Sequence, residues 1–409
     1  MAIFGRRGAR RLFRIPPGVP PRAVGRSRGN AMKLVDVTEF YSERGGGVRS
    51  HLASRGHFLC QLGHDHLVIA PGPRDDATPV LPVPGTARGS TRPRVVRVAG
   101  PALPYDRTYH LLGRFDKIRA HVRAERPDVL EAHSPYLATA AVAFCGWSAA
   151  PVMTAFWHAD HVGTYVEPQL ARMLGARAAR ALSAPLWRGV RSLLAPFDAT
   201  FVAGRVQAER LRAAGVEGVV HTPFGVDVTT FHPGARSEAR RKDLLGGAGP
   251  GASILVAVGR FAFEKRWDVV LEAFRRLRSR REAVMVFFGD GPERTALERA
   301  APHGVRFAGF ETDRTRLAQA LASADVLVHG CPYETFGLGV AEAVACGLPV
   351  VVPDAGGAAE TVDPSSGQRY RALDAAACSD AIERRLDRAP SELRAHAAGA
   401  ASRVTTAAD

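Results

Sequence analysis

The feature that most narrows what this chain can fold into is the alternation of its apolar segments. Short β-rich runs at 32–37, 67–70, 95–98, 129–132, 152–156 and 199–202 are interleaved with helix-length amphipathic stretches, beginning at 48–62. Parallel strands need a crossover long enough to hold a helix, so this order predicts a parallel sheet with helices on both faces. Around 224–251, Pro223, Pro233 and the Gly/Ala/Pro-rich run 246–252 interrupt the series. A second series then runs through 254–258, 284–288, 305–307, 326–328 and 349–352. The fold class expected is α/β, with two Rossmann-like doubly wound domains facing across a cleft. The expected limits are a basic disordered tail at 1–30, a first Rossmann-like domain at 31–225, a linker at 226–250, a second at 251–375 and a C-terminal helix and tail at 376–409. A length of 409 residues suits two or three domains.

Charge is uneven. The chain carries 55 Lys+Arg against 40 Asp+Glu, a net +15, and eight arginines with no acid fall in residues 1–30. The imbalance is therefore mostly a tail, which weakens a nucleic-acid-binding reading, and the body shows no recognition-helix or aromatic-basic module. Five scattered cysteines without a Cys-x-x-Cys pair favour a reducing compartment and argue against structural zinc. The stretch from 134 to 157 has no charged residue, yet Pro135, Gly146, Ser148 and Pro151 divide it into a helix-sized and a strand-sized piece, against a membrane span. Cytoplasmic residence is expected.

Ligands of open α/β sheets sit beyond the carboxyl ends of the strands, and the residues there carry the functional signals. After the first strand, Gly45, Gly46 and Gly47 precede a helix, which makes either an anion-binding turn or a plain tight turn. After 254–258, Arg260 and Lys265 stand on a loop before a helix from about Trp267, two cations that could hold a diphosphate. Gly289-Asp290-Gly291-Pro292 follows the next strand, as a backbone-amide site at Gly291 or as an ordinary turn. Glu334 and Glu342 lie eight apart around Phe336-Gly337-Leu338. If that turn opens a helix, one carboxylate stands at its entrance and the other one to two turns inside. The amides at Phe336, Gly337 and Leu338 would be unpaired helix-start donors. A glutamate within so apolar a segment as 340–352 is costly to bury without a partner. His158, Asp160 and His161 form a possible metal set, but a third zinc ligand with convincing spacing is missing, and no metal site is expected.

Taken in order, Gly259-Arg260…Glu264-Lys265, Gly289-Asp290-Gly291-Pro292, Glu334-x7-Glu342, Gly347-Leu348-Pro349-Val350, Gly356-Gly357 and Glu360 resemble the nucleotide-sugar domain of family-four retaining glycosyltransferases, which have the GT-B fold. The first half agrees through its glycine loop, through residues 128–134, and through Gly225-Val226-Asp227…Phe231…Pro233. The resemblance covers roughly residues 32–365 and implies a retaining, hexosyltransferase-like enzyme. Such an enzyme moves a sugar from a nucleoside-diphosphate sugar to an acceptor hydroxyl, carbohydrate or lipid-linked, in cell-envelope glycolipid or polysaccharide synthesis. It implies no cofactor and no metal, since cations act in place of one. Arg260 and Lys265 would bind the diphosphate, Glu342 the ribose, and Glu334 with the 336–338 amides the donor sugar. His158 looks like the family's cleft histidine beside the reacting carbon. A GT-B epimerase or phosphorylase is the alternative. The chain departs from the family at Trp267, where glycine is common, and at Cys331-Pro332-Tyr333. It also ends soon after 386–394, where members usually continue with a helix crossing back onto the first domain. Five arginines (Arg172, Arg177, Arg180, Arg188, Arg191) interleaved with apolar residues across a helical stretch at 168–194 suggest either an ordinary solvated face or peripheral contact with an anionic membrane.

Overall fold

The computed structural model describes residues 31–42, 46–79, 93–104, 106–146 and 148–388. The expected tail at 1–30, Gly45 and the C-terminal tail from 389 lie outside these. The chain divides into two compact units. One runs up to Val202 with Gln207–Thr222, and the other holds Ala203–Val206 and everything from Pro223 onward.

The first unit is built on an eight-stranded sheet of β1 (Lys33–Val37), β2 (Asp65–Gly72), β3 (Asp76–Pro79), β4 (Arg94–Ala99), β5 (Val129–Ala132), β6 (Val152–Trp157), β7 (Ala199–Val202) and β8 (Val219–His221). Their order is β3-β4-β2-β1-β5-β6-β7-β8, parallel except for the antiparallel edge pair β3·β4. Strand alternation sends Val35, Val37, Leu67, Ile69, Leu130 and Ala132 to one buried face, and Val68, Ala70 and Val95 with Leu52 of the helix Gly47–Gln61 to the other. The charge-free stretch resolves into the helix Leu137–Cys145 and strand β6. No helix among the described residues is long and apolar enough to cross a membrane.

The second unit holds β9 (Ser253–Val258), β10 (Ala283–Phe288), β11 (Val305–Gly309), β12 (Val326–Val328), β13 (Val350–Pro353) and β14 (Gly367–Tyr370). The order β11-β10-β9-β12-β13-β14, all parallel, is the doubly wound Rossmann arrangement. Again both faces are buried, Ile254 and Val256 on one side of β9 and Leu255 and Ala257 on the other. The helix Trp267–Arg278 buries Trp267, Val270, Leu271, Phe274 and Leu277 at helical spacing and leaves Arg275 and Arg276 in solvent. The segment expected as a linker is packed rather than open, because Phe231 and Leu244 are buried in this unit's core. The stretch 168–194 is not one helix: Gly175, at φ 83°, separates Glu167–Leu174 from Ala176–Leu194.

Candidate active site

In the second unit the strand order reverses between β9 and β12, so the loops that follow these two strands share the switch point where α/β ligands bind. After β9 the chain makes a short 3-10 turn, Phe263–Lys265, before its helix. Phe261 is fully buried against Phe287 and Phe307, which anchors this loop. Trp267, the residue that departs from the family pattern, fills the space beneath it. Its ring is buried and its Nε1 donates to the Arg260 carbonyl at 2.9 Å. The tryptophan thus fixes the backbone that presents the half-buried Arg260.

Lys265 and Glu334, assigned from sequence to different parts of a ligand, meet directly. Lys265 Nζ donates to Glu334 Oε2 at 2.5 Å, and each side chain keeps about a fifth of its surface exposed, at 19% and 20%. His329 Nε2 lies 3.4 Å from the same oxygen. Burial opposes the charge on Glu334, but the Lys265 ammonium and His329 outweigh it and hold the carboxyl well below the usual range. Burial likewise opposes charge on Lys265, and Glu334 outweighs it, so the ammonium stays protonated far above neutrality. The pair is a fixed plus–minus couple at the carboxyl edge of the sheet.

The helix Leu338–Ala345 opens four residues after Glu334, so that carboxylate stands at its entrance. Its N-cap is Gly337, left-handed at φ 88°, with no side chain capping the helix start. A side chain at Gly337 would meet Ala358 at 3.2 Å, so the glycine serves both conformation and packing. Phe336 is buried edge-on to Phe224, and Gly357 N–H donates to the Glu334 carbonyl at 2.5 Å. One turn inside, Glu342 is 3% exposed. Its partner is Arg314, whose Nη2 is 2.6 Å from Oε1 and whose guanidinium lies 4.5 Å over the Phe231 ring. Burial still pushes the Glu342 carboxyl up, against the lowering by Arg314. Gly291 has a structural account of its own. Its N–H donates to the Asp290 carboxylate at 2.9 Å, and a Cβ there would come within 2.4 Å of the Phe261 carbonyl.

In the first unit the reversal lies between β1 and β5. Gly46 (φ 132°) caps the helix Gly47–Gln61 and Gly47 begins it. His158 follows β6, stacks on Phe156 with ring centroids 4.4 Å apart, and places Nε2 2.9 Å from His133 Nδ1. The set His158, Asp160 and His161 is not brought together. Asp160 pairs with Arg210 at 3.1 Å and accepts from Gly163 N–H, and His161 sits edge-on to Tyr136. Other donor groups do converge: His51, His133 and His158; Asp36, Glu131 and His133; His329, Cys331 and Glu334. Cations stand inside the latter two, Arg55 on Asp36 and Glu131 and Lys265 on Glu334, as charge partners a metal would have to displace. Sequence reading missed Arg314, His329 and the buried Asp36–Arg55–Glu131–His133 set. The available signal was a carboxylate in each of two apolar parallel strands.

Two parallel α/β units, each with loops gathered at a switch point, are the architecture of the GT-B fold. The family model "Glycosyltransferase Family 4" matches residues 45–230, and "Glycosyl transferases group 1" matches 252–388. A GDP-mannose-dependent alpha-(1-6)-phosphatidylinositol dimannoside mannosyltransferase of Mycobacterium tuberculosis is 32% identical over 342 residues, 82% of this chain and 83% of that protein. A GDP-mannose-dependent alpha-mannosyltransferase of Corynebacterium glutamicum is 29% identical, over 81% of this chain and 75% of the relative. Among solved structures, sucrose-phosphate synthase from Thermosynechococcus elongatus superposes with a TM-score of 0.72 at 19% identity, covering 91% and 94% of the two chains. Anabaena HepE in complex with UDP-glucose gives 0.68 at 17%, covering 92% and 96%. The chain belongs to the family-4, group 1 glycosyltransferases, and it is an enzyme that transfers sugar from a sugar nucleotide.

Proposed function

We propose that this enzyme transfers a hexose, mannose from GDP-mannose in the first instance, to a hydroxyl of a lipid-linked acceptor with retention at the anomeric carbon. The observation that carries the reading is the Lys265–Glu334 couple at the β9/β12 switch point, a preformed cation and carboxylate where a diphosphate and its sugar would lie. The donor and acceptor follow the relatives, whose names give GDP-mannose and a phosphatidylinositol mannoside. In the step, the bond from the anomeric carbon to the diphosphate oxygen breaks, a bond from that carbon to the acceptor oxygen forms on the same face, and the acceptor proton passes to the departing diphosphate. Arg260 and Lys265 stabilise the charge building on that diphosphate, and the 336–338 amides at the helix entrance add to it. Glu334 contacts the sugar, Glu342 the ribose, and His158 the sugar near the reacting carbon. Glu334 is ion-paired to Lys265, which disfavours a role as nucleophile and favours the same-face route. No metal is assigned a role. Incubation with GDP-mannose, UDP-glucose and other nucleotide sugars, with and without EDTA, tests this: GDP should be released from GDP-mannose equally in both. Consumption of no nucleotide sugar, or only after a divalent ion is supplied, would overturn it.

Glu342 yields a prediction that separates binding from folding. The carboxylate is nearly fully buried and its proton affinity is raised, so Glu342→Gln should leave the melting temperature unchanged or higher at neutral pH. If the carboxylate accepts ribose hydroxyls, nucleotide affinity should fall roughly 10- to 100-fold, the range for a hydrogen bond to a charged group. Calorimetric titration of GDP into both proteins checks this, and unchanged affinity would remove Glu342 from the nucleotide site.

Peripheral membrane contact belongs to the same proposal. Met173, Leu174, Leu182 and Leu186 are exposed at 76%, 56%, 54% and 45% on the two helices flanking Gly175. Arg172, Arg177, Arg180, Arg188 and Arg191 are exposed among them, whereas Leu170 and Leu193 are half-buried. Each cation near an anionic surface contributes about 1 kcal/mol. The protein should cosediment with vesicles containing acidic lipid, lose that binding as salt rises, and keep part of it after residues 1–30 are deleted. Equal binding to neutral and acidic vesicles, or none to either, would favour a soluble acceptor.

A further inference from the structure

Two carboxylates face each other inside the first sheet. Asp36 of β1 stands in register with Glu131 of β5, and both are buried, at 0% and 2% exposure. Like charges directly opposite across a sheet are unfavourable, and a buried charge left without a partner is worse. Arg55, from the helix Gly47–Gln61, reaches both, 3.2 Å from Asp36 Oδ1 and in closer contact with Glu131. Thr154 Oγ1 donates to Glu131 Oε2 at 2.6 Å, and His66 Nε2 lies 2.7 Å from Asp36 Oδ2. One guanidinium against two carboxylates leaves one negative charge. His133 Nε2 sits 2.9 Å from Glu131 Oε1 and 3.3 Å from Asp36 Oδ1, with Arg55 Nη1 at 3.0 Å. A protonated His133 makes the set neutral. Its other nitrogen, Nδ1, is then a donor aimed at His158 Nε2, 2.9 Å away.

We propose that His133 is a positioning residue for His158: its imidazolium, held at Nε2 by the carboxylates of Asp36 and Glu131, donates from Nδ1 to His158 Nε2 and fixes His158 as a neutral ring with its proton on Nδ1. The consequence for transfer rests on the reading of His158 as the histidine beside the sugar. Groups facing His158 come from three elements: His51 and Arg55 from the helix Gly47–Gln61, Asp36 from β1, and His133 just after β5. Burial opposes charge on His133, but Asp36 and Glu131 outweigh it and raise its affinity for a proton. At His158, burial and the charges of His133 and Arg55 push the other way, with Asp36 a smaller opposing influence. His51 is held neutral as well, lowered to about 3 chiefly by burial. A neutral His158 offers a polarised N–H to a sugar hydroxyl without setting its own full positive charge beside a carbon that is becoming positive. Stacking on Phe156 and the bond from His133 fix the ring plane and the tautomer together, as the partner of a ring nitrogen usually does.

The test uses the full chain labelled with 15N-histidine. Two-bond 1H–15N spectra should show His158 with a protonated Nδ1 and bare Nε2 throughout pH 5.5–8, and His133 with both nitrogens protonated. The signals would be assigned through His133→Gln and His158→Gln. A wild-type His158 carrying its proton on Nε2, or titrating in the ordinary imidazole range, overturns the proposal with no need for a variant to fold. In kinetics, His133→Leu should lower kcat at least tenfold with KM for the donor changed less than twofold, and His133→Gln, which can still donate, should recover most of the loss. Full turnover in a folded His133→Leu would overturn the positioning role. If the spectra are as expected but His158→Ala is fully active, the reading of His158 at the sugar fails and the proposed consequence fails with it.

Discussion

Replacing Lys265 by alanine is expected to lower kcat about a hundred- to a thousand-fold, the roughly 2.7–4 kcal/mol that a preorganised donor to a developing anion supplies. The same change leaves Glu334 poorly compensated and should destabilise the fold by about 3–5 kcal/mol, the cost of breaking a buried pair from one side. The two effects separate in the double variant Lys265→Met with Glu334→Gln. It removes both charges, should restore most of the melting temperature, and should stay inactive. Recovery of turnover along with stability would mean that Lys265 serves the fold alone. The sign of the pH dependence follows from the Glu334 carboxyl, which is lowered in the folded state. Its stabilisation is fully present above the unfolded value near 4.3 and is lost as pH falls toward the folded value. The wild type should therefore lose relative to the double variant in acid, and again in strong alkali, where the raised Lys265 ammonium gives up its proton. Lys265→Arg is not a conservative control, since a planar guanidinium cannot reproduce a compact ammonium shared between Glu334 and a diphosphate.

Glu334→Gln carries the second large effect. Glutamine keeps the size of the side chain and an oxygen for Lys265 Nζ, so folding should suffer less than in Lys265→Ala. Turnover should nonetheless fall at least a hundredfold, because a neutral amide cannot offset positive charge developing on the sugar, whereas the Kd for GDP should change little. A loss confined to kcat identifies an interaction made in the transition state. Equal kcat in variant and wild type at saturating donor would remove Glu334 from the reacting end of the site.

The strands of both sheets were legible because buried parallel strands are near-continuous apolar runs, and the positions of Arg260, Lys265, Glu334 and Glu342 followed from counting past their ends. Three strands escaped for physical reasons, among them β8, Val219–His221, which at three residues is too short to show a pattern. β14, Gly367-Gln368-Arg369-Tyr370, is polar, and it pairs with β13 so closely that a Cβ at Gly367 would come within 2.5 Å of the Val350 carbonyl. β3 is a short edge strand with no apolar alternation. Gly175 ends a helix within a pattern that read as continuous, because one left-handed residue leaves the periodicity on either side intact. Partners were the hardest to see. Arg314 is 28 residues from Glu342, and Arg55 is 76 from Glu131. Charge pairs of that separation are set by tertiary packing, which no local pattern encodes, although the buried carboxylates themselves announce that partners must exist.

The most direct test of the account is the anomeric configuration of the product formed from GDP-mannose and a phosphatidylinositol mannoside acceptor in the presence of EDTA, read by NMR of the new glycosidic linkage. An α-linked mannose from the α-configured donor, formed at an undiminished rate without divalent ions, is the predicted result. A β-linked product, or transfer that requires a metal, would contradict same-face transfer supported by Arg260, Lys265 and the helix entrance at Gly337.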